Sequence, residues 1–93
     1  MESHEQTEHR FMKLTATFFS HFGAISYKNL CEAHGITAAI GPVPRSLSSS
    51  CGSCVIYEAE ILCPVQPVPE EVEQIAVKEE KGYRIVYSCD NME

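Results

Sequence analysis

Residues 69–87 read PEEVEQIAVKEEKGYRIVY, and the way this stretch folds decides the architecture of the chain. Pro69 suits the first turn of a helix, Glu70, Glu71 and Glu73 would sit near its positive end, and Val68, Val72, Ile75 and Ala76 form an apolar stripe. The pattern predicts a helix over residues 69–81, stopped at Gly82, and a strand over 83–87. Immediately upstream, Cys63-Pro64 through Pro67 breaks a strand over 53–61 (SCVIYEAEI), in which Val55, Tyr57 and Ala59 alternate with Cys54, Ile56, Glu58 and Glu60.

Further back, residues 41–52 (GPVPRSLSSSCG) hold two prolines, two glycines and four serines, which leaves no regular element and predicts a long loop. Residues 36–40 read as a short strand. Ser20 can cap a helix over 20–33 whose apolar positions include Phe22, Ile25, Tyr27 and Leu30, closed by His34-Gly35. Residues 13–19 (KLTATFF) alternate, with Leu14, Ala16 and Phe18 on one side and Thr15, Thr17 and Phe19 on the other. The order βαββαβ predicts an α+β, ferredoxin-like fold: a four-stranded antiparallel sheet with two helices on one face.

Ninety-three residues suffice for one domain, expected over 13–89, with a polar arm over 1–12 carrying His4 and His9 and a short tail over 90–93. Seven basic against thirteen acidic residues give a net charge of −6, the wrong sign for binding by phosphate neutralisation, so nucleic acid and anionic membrane are poor partners. No apolar run reaches the length of a membrane helix, and the start MESHEQTEHR is unlike a signal peptide. Five cysteines, an odd number without a regular framework, fit reduced thiols and a cytoplasmic setting.

No phosphate loop, zinc-protease motif or hydrolase elbow is present, so enzyme signatures are absent. What carries chemistry is Cys51-Gly52-Ser53-Cys54, whose spacing brings two sulfurs close enough to share a metal or form a disulfide. A second ligand pair for structural zinc is missing. Arg45 is the only formally charged residue between His34 and Glu58, and a nearby cation favours the thiolate that attacks or carries sulfur. Gly52 leaves room for a partner, the serines, Ser50 among them, offer donors, and Pro42 and Pro44 stiffen the loop. The bland alternative is a small cysteine in a tight turn followed by a small apolar one in a strand. Cys31, Cys63 and Cys89 lack the spacing and read as ordinary thiols, the four tyrosines as core and sheet residues, Glu70, Glu71, Glu73, Glu79 and Glu80 as a solvated helix face, and His21 and His34 as surface or cap residues.

The run from Pro42-Val43-Pro44-Arg45 through Ser46, Leu47, Ser48, Ser49, Ser50, Cys51 and Gly52 resembles the PvPR-x-(I/L)-S-x-x-CG signature of the small Se/S carrier-like domains. The same domain is similar to the C-terminal part of YedF-type selenium-metabolism proteins. The resemblance implies a non-catalytic protein without a resident cofactor, which holds sulfur or selenium on Cys51 as a persulfide or selenosulfide. Its implied partners are a desulfurase-type donor and an acceptor protein, and a second copy of the chain is a further candidate. Cys54 lies outside the signature and, as a second thiol, could resolve a Cys51 persulfide into a disulfide. A thiol redox or metal-binding module using Cys51 and Cys54 as a pair, and a small regulatory adaptor, are the rival classes.

Overall fold

The computed structural model describes residues 11–47 and 49–89. Its elements are β1 (Met12–Phe18), α1 (His21–Ala33), β2 (Ala38–Pro42), β3 (Ser53–Ala59), β4 (Val72–Glu79) and β5 (Gly82–Ser88). The strands form one antiparallel sheet in the order β2-β3-β1-β4-β5. The fold is α+β as expected, but with one helix and five strands instead of two helices and four strands.

β1 lies at the centre, paired with β3 on one side and β4 on the other. Residues 14–18 are all buried, because a central strand has no free edge and its side chains are flanked on both sides. The expected phase holds: Leu14, Ala16 and Phe18 join the main core, while Thr15 and Thr17 are buried on the opposite face. β1 and β2 are both antiparallel to β3, so they run in the same direction. α1 is the crossover that joins them, as parallel strands require.

Ser20 caps α1 by accepting from the Gly23 N–H at 3.1 Å, and the chain leaves the helix through His34 and Gly35. The buried face of α1 consists of Gly23, Ala24, Tyr27 and Cys31. Gly23 is required there, since a Cβ would stand 2.7 Å from the Cβ of Glu71. This corrects the expected stripe at two positions: Phe22 and Ile25 point outward, and the small residues let the helix approach the sheet instead. The Phe18, Tyr27 and Tyr57 rings meet in sequence at centroid separations of 5.3 and 5.5 Å, the first pair tilted and the second edge-on. The Tyr27 hydroxyl donates to Tyr57 Oη at 2.9 Å, and Tyr57 donates in turn to the Leu62 carbonyl.

The helix expected over 69–81 is absent, and residues 72–79 are β4. Val72 and Ile75, three apart as on a helix, also fall on one face of a strand that carries one extra residue, while Ala76 is buried on the opposite face beside Thr15. The β1 register jumps from Thr17↔Gln74 to Phe18↔Val72, so Glu73 is a bulge, after which Ile75 and Val77 resume the inward alternation. Backbone pairing with the open side of β1 and with β5 outweighs the helical preference of Glu, Gln, Ala and Lys, a case of tertiary context overriding local propensity. The layer assigned to that helix is replaced by the proline-containing segment 60–71, whose Val65 and Val68 pack on the core. Of the expected arm, residues 1–10, with His4 and His9, lie outside the described residues, as do residues 90–93; Met12 begins β1. No helix among the described residues is long and apolar enough to cross a membrane.

Two predictions arise from this core. Tyr57→Phe strands both the Tyr27 hydroxyl and the Leu62 carbonyl, whereas Tyr27→Phe leaves the Tyr57–Leu62 bond intact. Urea midpoints should therefore show a loss of about 1–3 kcal/mol for Tyr57→Phe, larger than that for Tyr27→Phe. Burial, then the neighbouring Cys63 and Glu32, push the Cys31 thiol up from 9.0 to about 11. The unfolded chain releases this proton first, so stability should fall as pH rises from about 9 to about 11. Cys31→Ala should flatten that part of the curve, although the raised Tyr27 and Tyr57 extend the decline at still higher pH.

Candidate functional site

The loop over 43–52 leaves β2 and returns into β3, and its two ends are fastened together. Pro42 pairs with Ser53 in the ladder, the Val43 N–H donates to the Gly52 carbonyl at 3.3 Å, and a turn is closed by Leu47 N–H to the Pro44 carbonyl at 3.0 Å. Its far side is strapped across the ends of β1 and β4. Ser49 Oγ donates to the Phe18 carbonyl at 3.2 Å, and Ser50 donates to Glu73 twice, from its N–H at 3.1 Å and its hydroxyl at 2.9 Å. The bulge at Glu73 thus serves the loop as well as the sheet.

Cys51 sits between these fastenings, half-buried, with its chain packed on the core. Its N–H donates to Ser49 Oγ at 3.3 Å, Ser49 Oγ lies 3.9 Å from the sulfur, and the thiol donates to the Ser53 carbonyl at 3.6 Å. Gly52 follows at φ +80°, a left-handed conformation that favours glycine, with open space where a Cβ would point. The turn therefore presents the sulfur next to a stretch of backbone that carries no side chain.

The other expected site residues are placed as follows. Cys54 is fully buried; its thiol donates to the Pro42 carbonyl at 3.4 Å, and burial, with Cys51 nearby, pushes its pKa up. The two sulfurs thus make separate hydrogen bonds, and both cysteines are free. Among the described residues no group of three or more His, Cys, Asp or Glu could hold a metal ion. Ser50 ties the loop to Glu73 through its N–H and its hydroxyl. Arg45 is exposed, and its guanidinium makes no hydrogen bond or ion pair with any described residue.

Four residues have roles at the site that their sequence positions do not single out. Ser49, one serine among four, makes the contacts to Cys51. His21, first residue of α1, shares a 3.0 Å hydrogen bond with Ser53 Oγ, fastening the helix to the strand that follows Cys51. Glu71 and Glu73, expected on a solvated helix face, instead hold the α1 cap and the loop; Ser20 Oγ donates to Glu71 at 3.0 Å. Apart from the Ser49–Cys51 contacts, which are two residues apart, these pairings leave no local signal, since each joins residues far apart in sequence. A cavity of about 610 Å³ lies elsewhere, between segment 60–71 and β5, lined by Cys63, Val86, Tyr87 and Cys89 among others.

The thiol exposures order the reactivity. In the native protein iodoacetamide should label Cys51 and Cys89, the two half-buried cysteines, before Cys31, Cys54 and Cys63, which should react only in denaturant, as peptide mapping would show. Ser49→Ala, which removes both the strap to Phe18 and the acceptor for the Cys51 N–H, should raise the Cys51 rate. Labelling of Cys54 as fast as Cys51 would contradict the geometry.

No curated protein and no solved structure matches the chain. A family model described as "Putative Se/S carrier protein-like" does match, over residues 13–88, which takes in all of α1, β2–β5 and the Cys51 loop and nearly all of β1. The chain therefore belongs to the Se/S carrier protein-like family.

Proposed function

We propose that this protein carries sulfur or selenium on Cys51 and delivers it to a partner without catalysing a reaction of its own. The observation that carries the reading is the contrast among the cysteines within the family match. Cys31, Cys54 and Cys63 are buried, whereas Cys51 is half-buried on a fastened loop beside a glycine that adds no side chain. Cys51 also lines none of the described cavities, which suits cargo that must be handed over at a surface.

Loading is a thiol exchange. The Cys51 thiolate attacks the terminal sulfur of a donor cysteine persulfide; the donor S–S bond breaks as a new one forms on Cys51. The donor cysteine leaves as a thiolate and takes up the proton that Cys51 gave away, so no external oxidant or reductant is consumed. Delivery repeats the step with the acceptor's thiolate as the attacker. A selenium atom in the terminal position obeys the same balance. Ser49 is the hydroxyl placed to donate to the terminal chalcogen anion, by turning from the Phe18 carbonyl. The paired-thiol alternative gains no support from Cys54, which is sealed from solvent and hydrogen-bonded to Pro42.

Incubation with a cysteine desulfurase and cysteine should add the mass of one sulfur atom to the intact protein. Cys51→Ser should abolish the addition and Cys54→Ser should retain it. Equal loading of Cys51→Ser would overturn the assignment, and equal loss in both variants would favour a Cys51/Cys54 pair.

A further inference from the structure

We propose that Phe22, with the flanking Phe19 and Ile25, and Arg45 form the docking face for the protein that loads Cys51; the inference rests on the carrier reading. Cys51 is only half-buried on its loop, so a donor protein that reaches the sulfur meets the surface around it. That surface is unusual on its helical side. The outward face of a helix packed on a sheet is normally polar, yet Phe22 is 73% exposed, with Phe19 at 46% and Ile25 at 39%. All three lie within seven residues, around the first turn of α1.

This turn stands at the same end of the sheet as the Cys51 loop. Ser49 is bonded to the Phe18 carbonyl on one side, and His21 is bonded to Ser53 on the other. Phe18 precedes Phe19 and His21 precedes Phe22, so the exposed aromatics border the loop that holds the sulfur. Arg45 supplies the charge. Lys28 is paired with Glu32, Arg84 with Glu79, and Lys78 lies over the Tyr83 ring; Arg45, like Lys13 and Lys81, makes no ion pair with a described residue, and of these three it is the one on the Cys51 loop. On a chain of net charge −6, an exposed cation six residues from Cys51, with no carboxylate partner among the described residues, is complementary to a carboxylate on a partner.

The partner these features fit is a protein that presents a cysteine persulfide beside an acidic side chain and an apolar cleft able to accept Phe22. Aromatic residues and arginine are the side chains that most often carry binding energy in such contacts. The electrostatic part should act mainly on the association rate.

The test compares two sulfur sources, a cysteine desulfurase with cysteine and inorganic polysulfide, by following the initial rate of sulfur addition with intact mass. Phe22→Ser and Arg45→Glu should each slow loading from subsaturating desulfurase on the order of tenfold, equivalent to about 1.4 kcal/mol of binding. Phe22→Ser should load from polysulfide at the wild-type rate, and Arg45→Glu should lose more of its rate with the desulfurase than with polysulfide. Phe11→Ser, which alters an exposed phenylalanine at the start of β1, is the control and should change neither rate. Undiminished desulfurase loading in either variant overturns the docking face and leaves the carrier role standing. Equal slowing with both sources also overturns it, since the thiol itself would then be affected, as does wild-type loading from polysulfide alone. Failure of the wild type to load from either source removes the carrier reading instead.

Discussion

The structure depends on β1 being paired along both edges at once. A strand hydrogen-bonded on one side only would leave a row of backbone N–H and C=O groups to be satisfied elsewhere. β3 satisfies one edge of β1 and β4 the other. Once both are satisfied, the positions of the remaining elements are constrained. β2 extends the sheet beyond β3, β5 extends it beyond β4 by a tight hairpin, and α1 spans from β1 to β2 across the face where Phe18, Tyr27 and Tyr57 meet.

The same pairing builds the site. The extra residue in β4 frees Glu73 from the ladder just where β1 ends, and Ser50 uses it as an anchor while Ser49 uses the Phe18 carbonyl. The Cys51 loop is thereby attached to the two central strands as well as to β2 and β3, between which it runs. A long loop rich in serine would otherwise sample many positions for its thiol. Fastened at both ends and along its far side, it holds the sulfur at a defined place next to Gly52, and the cost of ordering it falls on the folded scaffold and not on each transfer.

Some of this was legible from the residues alone. The alternation in residues 13–19 and 53–61 gives two strands and their inward faces, because period-two patterning reflects burial on one face of a sheet, although the strands end earlier, at Phe18 and Ala59. Ser20 and the His34-Gly35 stop marked the first helix, because capping is settled by residues adjacent in the chain. Pro44 and the serines mark the loop, although Gly41 and Pro42, expected within it, pair with Cys54 and Ser53 at the end of β2, and its resemblance to a known signature draws attention to Cys51. The stretch 69–81 reads as a helix because Val72 and Ile75, three apart, satisfy helical spacing and bulged-strand spacing equally well, and local pattern does not show that Ala76 is buried on the other face of the sheet.

The sequence by itself determined the strands around the loop, the first helix, the acidic balance and the candidate thiol, all of which follow from local pattern and composition. Only the tertiary structure decided that residues 72–79 extend as a strand, that Phe22 faces outward, that Cys54 is sealed while Cys51 is not, and that Ser49 and Glu73 fasten the loop. The reason is physical: these outcomes depend on partners tens of residues away, whose pairing energy enters only when the sheet closes around β1.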